Sequence, residues 1–150
     1  MTLRHAVMYA RQKDFVIQPE SRTTAGVWIG WEPVQVVGCE TDIATVAQAV
    51  RIALAASQDR VAHPTDWKAV LQPILNGAKV KSWNALQISA KMVGIELLDA
   101  ELRIVPSRNG GTSGDDKGYH SLPETAIVLT TGCSDEELGL ALSQALALCR

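Results

Sequence analysis

The stretch "RNGGTSGDDKG" at positions 108–118 sets four glycines, Gly110, Gly111, Gly114 and Gly118, beside Asp115, Asp116 and Lys117. Glycine-rich loops hold phosphate when backbone N–H groups and a helix N-terminus converge on it. The spacing here does not fit that chemistry. A phosphate loop follows its lysine with Ser or Thr, whereas Gly118 follows Lys117 and Asp116 precedes it. The next residues, "YHSLPETAIVLTT", read as extended, and two carboxylates would repel a phosphate. No G-x-G-x-x-G opens a helix after a strand, so a dinucleotide site fails as well. Adjacent aspartates do not supply the alternating ligands of a calcium loop. His5, His63 and His120 are scattered, and Cys39, Cys133 and Cys149 stand alone, with neither H-E-x-x-H nor C-x-x-C spacing for zinc. No cofactor and no metal are expected. An odd number of isolated cysteines also argues against a disulfide framework, and the three read as small buried apolar residues. A Cys–His pair can still meet in space. His120, beside the loop, is the histidine worth testing, and with Asp116 it defines an alternative reading as a small cytosolic enzyme of unknown activity.

The elements that would position these residues follow from hydrophobic periodicity. "HAVMYA" (5–10) and "FVI" (15–17) are short apolar runs, and "GVWIGWEPVQVVG" (26–38) is rich in β-branched and aromatic residues. Pro33 lacks an N–H and marks a break or an edge position in that run. The period then changes. Ile43, Val46, Ala47, Val50 and Leu54 form one stripe of a helix that Thr41 or Asp42 can cap. A second helix follows Pro64, with Thr65 or Asp66 as cap and Pro73 expected to end or kink it. "KSWNALQISAKM" reads as a shorter helix with Ser82 as cap. Two strands are expected near 93–98 and 101–106, and another at 125–131. Ser134 and Glu137 form a capping box at the start of a last helix, whose stripe includes Leu138, Ala141, Leu142, Ala145, Leu146 and Cys149. Asp135, Glu136 and Glu137 suit the positive end of that helix dipole, and Cys133 can staple against Leu138. The order of strands, helices, strands and helix predicts an α+β fold. It is a single domain over residues 1–150, with a mainly antiparallel or mixed sheet and three to four packed helices.

With 47% hydrophobic and 20% charged residues, the chain has enough apolar surface for one core, which excludes disorder of the whole. No apolar run reaches the ~18 residues of a membrane span, and the N-terminal run is too short for a signal-peptide core. A cytosolic protein without membrane contact is expected. The net charge of −2 conceals an asymmetry: residues 1–91 hold ten Lys/Arg and seven Asp/Glu, whereas residues 92–150 hold four and nine. A net-acidic chain is a poor direct binder of nucleic acid. An acidic face is either a plain solvated surface or a surface that attracts a basic partner. Trp28 and Trp31, three apart in an extended run, would point to opposite sides of the sheet, leaving one as a possible interface anchor. Arg22 has the chemistry to grip a carboxylate with both guanidinium nitrogens, and Thr23 and Thr24 to satisfy backbone groups at a strand entry.

Four stretches taken together, "QPESRTTAGVWIGWEPV" (18–34), "VKSWNAL" (80–86), "LRIVPSRNGGTSGDDKGYHSL" (102–122) and "SDEELGLALSQALALC" (134–149), carry a family resemblance. In this order they resemble the immunity proteins of bacterial contact-dependent growth inhibition (CDI) systems. The pieces at Ser21–Gly26 and Lys117–Tyr119 weigh most. The resemblance implies a cytosolic protein that binds the C-terminal toxin domain of a large surface-delivered protein and performs no chemistry. Such toxins are commonly nucleases, so an acidic immunity face would meet a basic partner. On that reading Asp115, Asp116, Lys117, Tyr119, His120 and Trp31 are the candidate partner-binding residues, and the glycine-rich stretch is a mobile acidic loop. A subunit of some larger assembly stays open as a third reading.

Overall fold

Residues 3–150 are described by the computed structural model. Eight strands form one antiparallel sheet: β1 (Leu3–Ala10), β2 (Asp14–Arg22), β3 (Trp28–Gly30), β4 (Gln35–Gly38), β5 (Lys91–Leu98), β6 (Glu101–Asn109), β7 (Tyr119–Ser121) and β8 (Ile127–Thr130). The main path runs β3-β2-β1-β5-β6-β7. β4 shares the outer edge of β2 with β3, and β8 shares the outer edge of β6 with β7. Four helices pack on it: α1 (Ile43–Ala56), α2 (Trp67–Ala78), α3 (Trp83–Ile88) and α4 (Asp135–Leu148). The architecture is the expected α+β, with every strand pair antiparallel.

Strand alternation splits the core into two layers. Ala6 and Met8 of β1 stand opposite Ile95 and Val93 of β5, and Ile95 opposite Ile104 of β6. These side chains meet α1 and α4 through Val50, Leu54, Leu138 and Leu142. Val7 and Tyr9 of β1, with Val16 of β2, point the other way and meet Ile74 of α2 and Leu86 of α3. The strands read from the sequence are present: β1, β2, β5 and β6 run beyond their apolar runs because pairing extends through polar residues such as Gln18 and Arg108, whereas the run 26–38 divides into the short β3 and β4 and the run 125–131 narrows to β8.

The helix caps follow the sequence closely. Asp42 accepts from Thr45 N, Asp66 from Lys68 N and Ala69 N, and Ser82 from Ala85 N. The Ser134–Glu137 capping box forms in both directions, and Cys133 packs against the core cluster that holds Leu138. At the other end of α1, Arg4 donates to the carbonyls of Leu54, Ala55 and Ser57, placing a cation where the helix dipole is negative.

Two details differ from the expectation. Of the two effects expected of Pro73, ending the helix does not occur, since α2 continues to Ala78. The proline removes the N–H that would bond to the Ala69 carbonyl, but Ala69 and Pro73 both line a cleft open to solvent, so water can satisfy that oxygen. Cys39 is exposed, because it lies in the turn beyond β4; only Cys133 and Cys149 are partly buried. All three cysteines are free. No helix of the described residues is long and apolar enough to cross a membrane.

Helix α4 meets the start of α1 closely at Gly139, where an added Cβ would collide with the backbone carbonyl of Ile43. Gly139→Ala in an open helix would stabilise by about 1 kcal/mol. Here it is expected to destabilise by about 2 kcal/mol, the scale of an overpacked core. Urea unfolding measures the sign, and a stabilised variant would refute the close packing of the two helices.

Candidate functional site

The glycine-rich stretch is a hydrogen-bonded hairpin tip between β6 and β7. Gly110 N donates to the Gly118 carbonyl at 2.8 Å and Gly118 N to the Gly111 carbonyl at 2.9 Å. Gly111, Gly114 and Gly118 have φ of 85°, 85° and 97°, a region where a side chain is strained. Gly110 is required for another reason: a Cβ there would strike the Asp116 carbonyl. The stem is tied to the end of α3. Asn109 Nδ2 donates to the carbonyls of Gln87 and Ala90, and Gln87 Nε2 donates to the Gly111 carbonyl at 2.7 Å. The glycines therefore shape a tight turn and present no anion-binding nest with a helix behind it.

Each candidate residue in the hairpin has a distinct position. Arg108 clasps both carboxylate oxygens of Asp116. The hydrogen bonds from that guanidinium hold the Asp116 carboxyl below the usual carboxylate range, against the opposing effect of desolvation. His120 Nε2 lies 2.7 Å from the Asp116 carbonyl oxygen and 3.5 Å from its carboxylate. Tyr119 turns inward: its ring packs edge-on to Trp83 and near Tyr9, and its hydroxyl donates to the Ala90 carbonyl at 2.8 Å. Burial pushes its phenol up to about 12. Asp115 and Lys117 are exposed. They take no part in the side-chain hydrogen bonds or ion pairs of the hairpin, which run through Arg108, Asn109, Asp116, Tyr119 and His120.

Trp31 is not part of this cluster. It follows β3, at the sheet edge opposite β7. There it lines an apolar cleft of about 550 Å³ with Ile29, Gly30, Pro64, Val70 and Pro73, and with Glu32 and Asp66. Trp28 and Trp31 are both half-buried, because the strand ends at Gly30 and the simple two-sided alternation stops there. The six candidates thus fall into two separate places.

The sequence reading missed a polar row that crosses the sheet. Gly30, Glu20, His5, Glu96, Arg103 and Val128 are successive cross-strand neighbours on six strands. They share the face that carries Val7 and Tyr9, beyond the part covered by α2. His5 Nδ1 lies 3.3 Å from Glu20 and its Nε2 3.5 Å from Glu96, while Arg103 reaches Glu96 at 3.9 Å. Trp28 stacks on the His5 ring with centroids 4.4 Å apart. Arg22 lies over Trp28 and grips Asp59 through two hydrogen bonds of 2.9 Å, the bidentate contact expected of it. Thr23 Oγ1 accepts from Ala25 N and Val27 N, closing the Ser21–Gly26 turn. Glu20, His5, Glu96 and Arg103 lie on four different strands, and only strand register brings the set together. Among the described residues no group of three or more His, Cys, Asp or Glu side chains could hold a metal ion.

A family model described as CDI immunity protein matches residues 4–149. Among solved structures, a protein of unknown function from Neisseria meningitidis is similar with a TM-score of 0.79 at 22% identity, covering 99% of this chain and 96% of that one. A CdiA-CT/CdiI toxin and immunity complex from Yersinia pseudotuberculosis is similar with a TM-score of 0.78 at 13% identity, covering 100% of this chain and 99% of that chain. At these identities the two structures speak to the fold alone. No curated protein matches.

The Arg22–Asp59 clasp that braces Trp28 has a pH signature. The hydrogen bond from Arg22 lowers the Asp59 carboxyl to about 2. A depressed carboxyl contributes stability that is present above its unfolded value, 3.8, and is lost as pH falls through its folded value. Carboxyl NMR titration is expected to show Asp59 ionised at pH 3. A midpoint near 4 would mean that the clasp is open in solution.

Proposed function

The chain belongs to the CDI immunity proteins, and on that premise we propose that it binds and neutralises the C-terminal toxin domain of a contact-dependent growth inhibition system. The observation that carries this reading is the family match across residues 4–149. The Yersinia pseudotuberculosis neighbour, whose fold this chain shares over its full length, is itself a toxin and immunity complex. The protein acts in the cytoplasm by occupying surface on its partner and needs no catalysis of its own. The enzyme reading gains nothing from the geometry, since His120 Nε2 faces a backbone carbonyl and Arg108 holds the Asp116 carboxylate.

We further propose that the toxin is a nuclease, because the acidic C-terminal portion of the chain complements a surface built to hold phosphates. Asp115 and Lys117 offer exposed charges at the hairpin tip for the encounter. Asp116, Tyr119 and His120 hold the tip in shape, and Trp31 contributes through its cleft on the far edge. Reversal at Asp116 would break the Arg108 clasp, so Asp115 is the cleaner probe of charge.

Co-expression with the toxin domain encoded beside this gene is expected to restore survival and to yield a co-purifying complex. Cell death without complex formation would overturn the immunity reading. Intact RNA and DNA in dying toxin-expressing cells would overturn the nuclease assignment alone. Asp115→Lys is expected to slow association by about tenfold at low salt, with the difference shrinking as ionic strength rises. An unchanged association rate would remove the hairpin tip from the encounter.

A further inference from the structure

Three of the four tryptophans have ring partners. Trp28 stacks on His5, Trp67 meets His63 edge-on, and Trp83 meets Tyr9 and Tyr119. Trp31 has no aromatic or cationic partner among the described residues, and its indole N–H enters no hydrogen bond there. It is nonetheless held in place. Its backbone N–H donates to the Pro19 carbonyl at 2.9 Å, and the residue is half-buried in the wall of the cleft between β3 and α2. The rest of that wall is stiff. Pro64 and Pro73 line it. One turn past Pro73, a Cβ at Gly77 would come within 2.7 Å of Val34, so helix and strand entry are closely packed there.

The cleft has an apolar floor and a rim of acceptors. Ile29, Val70 and the two prolines form the apolar part. Glu32, Asp66, Ala69 and Pro73 also border a second hollow of about 500 Å³, whose remaining lining is polar: Lys68, Gln72 and Asn76. The two carboxylates thus stand where apolar cleft gives way to polar hollow. Glu32 is exposed and enters no ion pair or side-chain hydrogen bond among the described residues. Asp66 uses only Oδ1 to cap α2. At the same boundary the Ala69 carbonyl lacks the donor four residues on, because Pro73 has no N–H. Lys68 is the one cation in the lining of either hollow.

We propose that this cleft seats an arginine of the toxin domain, its stem on the apolar floor and its guanidinium beside Trp31 at the Glu32–Asp66 rim. The inference rests on the immunity reading above and names the partner chemistry that the Trp31 cleft takes. Arginine answers each feature of the site. Its alkyl stem covers apolar surface. Its planar, weakly hydrated head stacks on an indole face and offers five N–H donors to carboxylate and carbonyl oxygens. Lysine has no plane and a more strongly hydrated head. An apolar side chain would fill the floor and leave the acceptors to water, and an anion would meet two carboxylates. At about 550 Å³ the cleft has the size of a site that buries a small ligand, so the arginine enters with part of the segment that carries it. An arginine anchored in a pocket acts on dissociation. The hairpin tip acts earlier, on the encounter.

The test is affinity of the full chain for the purified toxin domain, with melting temperature as a check of folding. Ala69→Arg fills the cleft from an exposed helical position that suits arginine. It is expected to melt as the wild type does and to weaken binding roughly 100-fold, mainly through faster dissociation. Glu32→Gln keeps shape and removes one charge, and is expected to weaken binding roughly 10-fold. Toxin arginines are then replaced by alanine one at a time. One of them is expected to lose most of its effect on affinity when measured against Glu32→Gln, the non-additivity of a shared contact. If Ala69→Arg lowers the melting temperature, Glu32→Gln and the arginine series decide in its place. Wild-type affinity in the deciding variant, or a series in which every arginine acts independently of Glu32, overturns the arginine seat while leaving the immunity reading intact. A dimer of this chain alone that Ala69→Arg dissociates gives the cleft to a second copy and overturns the seat as well. A wild-type protein that neither binds the toxin nor protects cells overturns both.

Discussion

His5 faces away from α1 and α4 because Ala6 and Met8 face into them. That alternation in one central strand governs the rest of the molecule. β1 is paired along its whole length with β5 and from His5 to Ala10 with β2, so the side-chain parity of β1 is imposed on both neighbours. A slip of one residue would carry His5 and Glu96 into the apolar layer under α1 and expose Met8 and Ile95. The burial of Ala6, Met8, Val93, Ile95, Leu102 and Ile104 against two helices resists that slip. The position of every polar residue on the second face is a consequence of where the apolar residues of the first face must go.

The two layers differ in how completely they are covered. α1 and α4 pack on each other and on the strands, and Gly139 lets their backbones approach. The second layer is built from a twelve-residue helix that contains a proline and a six-residue helix. Two short helices cannot cover a sheet six strands wide, and they cover only the end that bears Tyr9 and Val16. Tyr119 extends that cover from the opposite edge, which explains why a residue at the foot of an exposed hairpin is turned inward. The glycine-rich tip then has a structural purpose: it reverses the chain tightly enough to bring Tyr119 back beside Ala90.

How much of this was legible in the sequence depends on the range of the cause. Caps are local, so Asp42, Asp66, Ser82 and Ser134 were readable, as was the α+β order of elements. The Arg22 clasp was foreseen in kind, but its partner Asp59 lies 37 residues away and could not be named. Pro73 does not end its helix, and the sequence could not show that Ala69 and Pro73 would both line a cleft open to solvent. The row of Glu20, His5, Glu96 and Arg103 was invisible for a stronger reason. Each member is an unremarkable polar residue in its own strand, and their adjacency exists only in the register of four strands drawn from both halves of the chain.

Charge counting shows the same limit. Residues 92–150 carry nine acidic side chains against four basic ones, but the excess is not one uniform field. Asp135 is held by Arg51 and helps the start of α4, Glu137 closes the capping box, Asp116 is clasped by Arg108, and Glu96 lies between His5 and Arg103. Asp99, Glu101, Asp115, Glu124 and Glu136 enter none of these pairs and are exposed. Asp99 and Glu101 border the open sheet face at the β5–β6 turn, while Asp115 sits at the hairpin tip at the far end of β6. Carboxylates separated in this way cannot bind one cation together. They can, over a Debye length of about 8 Å at physiological salt, draw a basic partner toward the molecule from two directions. Where that partner comes to rest is then decided by short-range chemistry, to which the paired carboxylates contribute less than the free ones.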